Sequence, residues 1–303
     1  MKYQAGEPGR IISRHPTRSA VVALIILAFL WGYNWVVMKV VLKDCGPFTF
    51  AAWRTVLGAL VLFPLLLLKG GLGIPKAVSK LILLGLLQTT VFLGLTFWAL
   101  VAGGVGKTAV LVYTMPFWLL IMAWIYLGER IQGIEWPAVI AAFAGMVLIF
   151  EPWHGRGGLW SEILAVLAGV SWAGSVVAVK RLQSKERMPL LQLTTWQMLF
   201  GGIGLAVVAF FVPEGPINWS PSFIAALAYN VVPCNAIAWL LWLYIVEKLP
   251  AGVAGMGSLA IPLVGVLSAW LQLGEIPGPA EGAGMLLIGL ALLILSIKAL
   301  RRR

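Results

Sequence analysis

The sequence predicts an all-α integral membrane protein, with ten transmembrane helices arranged as two inverted five-helix repeats. Three observations carry this reading. Hydrophobic residues fill 61% of the 303 positions and charged residues only 11%, where a soluble domain carries about 25% charge. A set of residues recurs in both halves at matching spacing. The positive charges fall in alternate loops and in the two tails.

The recurrence is specific. Trp31 to Lys39 (WGYNWVVMK) is echoed by Trp172 to Lys180 (WAGSVVAVK), with Trp and Lys eight residues apart in both. Trp53 to Gly58 is echoed by Trp196 to Gly201. Pro116, Gly128 and Glu129 return as Pro262, Gly274 and Glu275, and the same offset carries Trp124 onto Trp270 and Glu135 onto Glu281. Residues 19–150 form the first repeat and 159–299 the second, between a tail at 1–18 and a basic tail at 300–303. Internal repetition in so apolar a chain marks a transporter built from two halves.

The spans follow in order. Arg10, Arg14 and Arg18 precede an apolar run that continues past Val41. That run is too long for the apolar region of a signal peptide and no cleavage site follows, so 19–42 is read as a retained first span. Gly46-Pro47 turns the chain into 48–68, and Gly70-Gly71 separates that from 79–101. Gly103-Gly104 introduces 105–127, and 134–150 closes the half. Gly155 to Gly158 lead into 159–181 and 190–212 follows. Pro213 to Pro216 precede 222–246, then comes 251–273. Pro277 to Pro279 open the last span, 280–299. This length leaves no room for a separate soluble domain.

With the N-terminus placed in the cytoplasm, 17 of the 22 Lys and Arg residues fall on that side. Lys39, Lys43, Lys107 and Arg156 fall on the other, and Arg54 lies inside span two. The bias puts both ends in the cytoplasm and makes the number of spans even. The net charge of +11 is therefore a topology signal, and no nucleic-acid partner is expected. Five spans per repeat is an odd number, so the second repeat enters the membrane from the opposite face. Two inverted halves can exchange conformations, which gives alternating access.

Two motifs now stand out: Trp31-Gly32-x-Asn34 with Lys39, and Pro116 followed by Leu127-Gly128-Glu129-Arg130, echoed by Pro262 and Leu273-Gly274-Glu275. In these, and along nearly its whole length, the chain resembles the drug/metabolite transporter superfamily in its EamA-type branch. Its wealth of tryptophan (15 residues) is most similar to the YddG-type exporters of aromatic amino acids. The resemblance implies a central cavity lined mainly by spans 1, 3, 4, 6, 8 and 9. It also implies amino-acid export across a bacterial inner membrane. The second half has no full WGxN, with Ala173 and Ser175 in its place, so the cavity is expected to be chemically asymmetric.

Polar side chains near mid-depth are the candidates for solute contact. They are Tyr33 and Asn34, Gln88 to Thr90, Tyr113 and Thr114, Ser171 and Ser175, and Tyr229, Asn230 and Asn235. Gln88 and Thr89 map by the repeat onto Cys234 and Asn235. An unpaired amide in lipid is expensive, so each must face another helix or a cavity. Trp31, Trp98, Trp118, Trp172, Trp239 and Trp242 are also deep, whereas Trp53, Trp136, Trp153, Trp160 and Trp219 lie near span ends, where aromatic belts form. The substrate-binding set is read as Asn34, Lys39, Gln88, Trp98, Tyr113, Trp172, Ser175, Asn235 and Trp239. Lys39 could meet a carboxylate or snorkel to the interface. Arg54, with Gln197 as its repeat partner, is read first as a structural anchor, with substrate contact as the alternative. Gly32, Pro116, Gly255 and Pro262 are the hinge candidates.

All eleven acids lie in loops or at span ends, so coupling through a carboxylate at mid-membrane is not expected and gradient-driven export is simpler. Glu129 and Glu275 end equivalent helices, in structural or gating roles. No HExxH, no paired deep carboxylates and no Walker A motif occur, so no catalytic residue, metal or cofactor is expected. Cys45 and Cys234 are two unrelated thiols. The partners expected are a small-molecule substrate and the lipid bilayer, with the oligomeric state open. A different solute class, such as a nucleotide sugar or cationic drug, and a non-transporting receptor remain the alternatives.

Overall fold

A computed structural model of the chain describes residues 18–69, 75, 77–128, 133, 135–150, 159–186, 188–248 and 260–301. Among these residues every regular element is helical. The elements are α1 (Arg18–Val41), α2 (Pro47–Leu68), α3 (Val78–Gly85), α4 (Phe92–Ala102), α5 (Val105–Val112), α6 (Met115–Leu127), α7 (Glu135–Phe150), α8 (Leu159–Lys185) and α9 (Leu190–Phe211). They continue as α10 (Pro221–Tyr229), α11 (Ala238–Lys248), α12 (Ala260–Leu273) and α13 (Pro279–Arg301). Two π-helical segments interrupt this series. The first, Leu86–Val91, joins α3 to α4; the second, Asn230–Ile237, joins α10 to α11.

Seven helical stretches among the described residues are long and apolar enough to cross a membrane, and shorter apolar helices cover Trp136–Ile149, Ile261–Leu273 and Pro279–Ala291. In the long stretches half or less of each apolar window is buried inside the protein. The rest faces outward, with Leu68 84% and Phe210 83% exposed. An apolar exterior of this extent suits lipid and not water. The chain is a multi-pass membrane protein.

Local chemistry sets the helix ends. Pro47 and Pro221 sit in the first turns of α2 and α10, where a missing N–H is harmless. Ser220 caps α10 by accepting from the Phe223 N–H. Glu214 caps α2 from across the fold, accepting from the Phe48 and Thr49 N–H groups at 2.8 Å each. Gly128 and Gly274 close α6 and α12 at φ of 70° and 69°, a left-handed conformation that glycine adopts without penalty. These are the two glycines that the repeat pairs.

Packing draws the helices together through small residues. In α7 and α13 the triplet Ala-Gly-Met recurs, and Gly145 and Gly284 lie against each other's backbone. On the other side of the molecule α2 lies along α9. Between these pairs stand α1 against α12, and α8 against α4 and α6. Gly32 of α1 packs directly onto Val264 and the Ile261 carbonyl of α12. This small-residue packing is how helices associate where water supplies no driving force.

The span predicted at 105–127 is broken rather than bent. Helix α5 ends at Val112, Tyr113 and Thr114 form a turn, and Pro116 sits in the first turn of α6. The Thr114 hydroxyl donates to the Leu111 carbonyl and accepts from Trp118 Nε1, so the break is held by side chains. Pro262 lies near the start of the described part of α12. Residues 251–259, with the hinge candidate Gly255, lie outside the described residues, as do Glu129, Trp153 and the tails at 1–17 and 302–303.

Candidate functional site: a central aromatic cavity

A cavity of about 90 Å³ lies in the middle of the bundle. Its wall takes Trp31, Asn34, Trp35 and Met38 from α1, and Arg54 and Thr55 from α2. The first π segment and α4 add Gln88, Thr89, Phe92, Leu93 and Thr96; the α5 end adds Val112 and Tyr113. Trp172 comes from α8, Gln197 and Met198 from α9, and Cys234, Asn235 and Trp239 from the second π segment and α11.

The two π segments explain why polar groups converge here. A π turn widens the helix and frees backbone carbonyls from their usual partners. Side chains from neighbouring helices take them up: Ser171 donates to the Leu87 carbonyl at 2.7 Å, and Trp31 Nε1 to the Cys234 carbonyl at 3.0 Å. Each π segment also packs on a glycine. The position of a Cβ on Gly58 would lie 2.8 Å from Asn235 Cβ, and a Cβ on Gly201 would collide with Thr89. Close approach at these glycines brings α2 and α9 to the cavity wall, so Arg54 and Gln197 face it together. The cavity wall thus takes residues from α2 and α9 beside those of the spans implied at 19–42, 79–101, 105–127, 159–181 and 222–246, and among the described residues it takes none from the span implied at 251–273.

Six of the nine expected substrate-binding residues meet at this cavity: Asn34, Gln88, Tyr113, Trp172, Asn235 and Trp239. Their aromatic rings form edge-on pairs, Trp31 with Trp239 at 5.3 Å and Tyr113 with Trp172 at 5.6 Å between centroids, and Phe92 lies 5.1 Å from Trp172.

The other three lie elsewhere. Lys39 is at one end of the bundle, where its ammonium donates to the carbonyls of Leu100, Val101 and Gly103 at 2.5, 3.3 and 2.9 Å. A cation on the last carbonyls of α4 satisfies both orphan acceptors and the helix dipole, so Lys39 is a helix cap and not a cavity residue. Trp98 is 42% exposed and packs between Phe48 and Trp160 on the outer surface of the bundle. Ser175 is buried and donates to the Trp172 carbonyl within its own helix. Sequence depth alone could not separate these from the cavity set, because it says how deep a residue lies and not which way it points.

The end of the bundle that holds Lys39 is fastened by several polar contacts between the two halves of the chain. Glu275 accepts from the Val105 N–H at 2.6 Å and from the Gly106 N–H at 3.3 Å. Lys107 pairs with buried Glu162 at 2.6 Å. Asn218 donates to Asp44 at 2.8 Å. Beside these contacts opens a vestibule of about 570 Å³ lined by Lys39, Lys43, Asp44 and Glu275 among others. At the opposite end Lys80 pairs with Glu186, and Arg181 donates to the Tyr126 carbonyl. Among the described residues no group of His, Cys, Asp and Glu could hold a metal ion.

Comparison with known proteins places the whole chain. The model of the EamA-like transporter family matches twice, over residues 18–151 and 159–297. The chain belongs to the EamA-like transporter family. It is similar to the uncharacterized transporter YoaV of Bacillus subtilis, at 26% identity over 84% of this chain and 89% of that one. It is also similar to a riboflavin transporter of Rhizobium johnstonii, at 32% identity over 67% of this chain and 64% of that one. A solved crystal structure shares the fold with a TM-score of 0.64 at 18% identity, over 93% of this chain and 97% of that chain. The EamA-like chain is accordingly a membrane transporter of the drug/metabolite type.

Proposed function

We propose that this protein is a secondary transporter exporting small amphipathic aromatic metabolites, most of all aromatic amino acids, by alternating access through the central cavity. The observation that carries the substrate class is the cavity wall: Trp31, Trp35, Phe92, Tyr113, Trp172 and Trp239 share it with polar residues such as Asn34, Arg54, Gln88 and Asn235. An aromatic pair adds about 0.5–1.5 kcal/mol beyond area burial, so such a wall favours a ring over an aliphatic chain.

Alternating access is supported by the equivalence of contacts in the two halves. The family model matches each half once. Gly58 packs on Asn235 and Gly201 on Thr89, and each pair is the other's counterpart in the repeat. Both π segments fall on equivalent spans. This supports ten spans in two inverted repeats, with the Lys39 end outside and both termini in the cytoplasm of a bacterial inner membrane. At about 90 Å³ the cavity is smaller than the roughly 300–1,000 Å³ of ordinary ligand pockets. Solute uptake then requires the halves to part, and the helix break at Tyr113-Thr114 is a place where the first half can bend.

No carboxylate lines the cavity among the described residues, which favours transport driven by the solute gradient over proton coupling through an acid. A flavin is the second reading, since a relative at 32% identity is named a riboflavin transporter and riboflavin too presents a flat ring. Uptake by proteoliposomes of labelled tryptophan, phenylalanine, leucine and riboflavin decides between them. The proposal expects tryptophan and phenylalanine to enter saturably and leucine poorly. Riboflavin alone would move the assignment to flavins, and uptake of none of the four by folded protein would overturn the aromatic reading.

A further inference from the structure

We propose that Arg54 is the anchor for a carboxylate of the transported solute, so that the cavity selects organic anions and zwitterions over amines with the same ring. The inference rests on the cavity being the solute site and specifies which group of the solute it holds.

Arg54 is only 4% exposed, sits within α2 and lines the cavity. A guanidinium carries five N–H donors and stays charged in proteins. Here one nitrogen donates to Met38 Sδ at 3.0 Å and another reaches Asn235 Oδ1 at 3.5 Å, the outer limit of a hydrogen bond. The Nε–H has no partner. A ring face, that of Phe97, lies 5.6 Å away. Thioether sulfur and a ring face are weak company for a charge, and no ion pair to Arg54 occurs among the described residues.

A buried charge in a membrane protein is normally paired, because leaving it alone is costly. Two further polar atoms on the same cavity wall also lack partners: Asn34 Oδ1 and Thr55 Oγ1. Three unsatisfied groups around one void describe a place for a ligand. Arg54 offers the planar fork that fits a carboxylate, and the Thr55 hydroxyl can donate beside it. Asn34 Oδ1 can accept from an ammonium. Lys39, the other basic residue near span one, is already engaged by three carbonyls. Asn235 steadies the arrangement, donating to the Arg54 carbonyl at 2.8 Å while its oxygen faces the guanidinium.

The test is calorimetric titration of the purified full-length protein with tryptophan, indole-3-propionate, tryptamine, leucine and sodium chloride, in a chloride-free buffer. Tryptophan and indole-3-propionate are expected to bind, and tryptamine to bind about 10- to 100-fold more weakly, the range for a hydrogen bond to a charged group. Arg54→Gln removes that preference by weakening the two acids and leaving tryptamine within about threefold, while Arg54→Lys restores part of it. The wild-type comparison needs no mutant, so a misfolded variant does not spoil it. Tryptamine binding as tightly as tryptophan overturns the anchor and leaves the aromatic reading standing. Leucine binding as tightly as tryptophan, and losing affinity with Arg54→Gln, supports the anchor and overturns the aromatic reading. Chloride binding without any carboxylate binding overturns the assignment to the solute.

Discussion

Replacing Gly58 by alanine tests whether close packing of α2 on the second π segment holds the cavity in shape. An alanine Cβ there would stand 2.8 Å from Asn235 Cβ and 3.2 Å from its amide nitrogen. Ordinary contact begins near 3.4 Å, so Asn235 or the backbone of α2 must retreat by several tenths of an ångström. Asn235 is already at the limit of its contact with the guanidinium, at 3.5 Å, and donates to the Arg54 carbonyl at 2.8 Å. Overpacking costs about 1–3 kcal/mol, and losing a polar contact inside a membrane protein about 0.6–1.7 kcal/mol. Together these give a destabilisation of about 2–4 kcal/mol. The matched control is Gly289→Ala in α13, where an added Cβ meets nothing within 4 Å and helix propensity predicts no loss. Thermal unfolding in detergent should show a fall of several degrees for Gly58→Ala and none for Gly289→Ala, and uptake by Gly58→Ala should drop with it. Equal midpoints for both variants would refute the reasoning.

Other substitutions probe the rest of the account. Lys39→Met leaves three carbonyls at the end of α4 without their donor and should lower stability by about 1.5–3 kcal/mol while sparing solute affinity; a specific loss of affinity would return Lys39 to the cavity. Pro262→Ala should slow uptake with little change in binding, because proline fixes φ at the start of the described part of α12; unchanged rates would remove the hinge. Trp172→Ala opens the wall shared with Tyr113 and Phe92 and should weaken tryptophan binding by about tenfold; an unaltered affinity in titration would remove that wall from the site. Cys45 is buried in the loop before α2, and burial first, then Glu214 and Asp44, pushes its thiol from 9.0 up to about 12. In a Cys234→Ser background, maleimide at pH 7.5 should leave the native protein unlabelled. Since folding favours the neutral thiol, this contribution to stability is present below pH 9.0 and is lost as pH climbs toward about 12.

The membrane fold was legible because apolar runs and breakers are written along the chain. Gly46-Pro47 and Pro221 stand where α2 and α10 begin, and Gly128 and Gly274 where α6 and α12 end. The repeat matched Gln88 and Thr89 with Cys234 and Asn235, and all four line the cavity. What the pattern could not show was backbone detail. A π turn has the same side-chain hydropathy as an α turn, and only Pro233 hinted at the second segment. Lys39 lies away from the central cavity because it donates to main-chain carbonyls, which no side-chain pattern reveals. Arg54 could be placed in span two from the sequence but its partners could not; the fold supplies Met38 and a distant amide.

The central claim is that the cavity carries aromatic solutes down their own gradient. Counterflow of labelled tryptophan into proteoliposomes loaded with unlabelled tryptophan, with and without an imposed pH gradient, tests it most directly. The account predicts saturable accumulation at the same rate under both conditions. Accumulation driven by the pH gradient would contradict transport without a cavity carboxylate, and no accumulation by folded protein would contradict the claim itself.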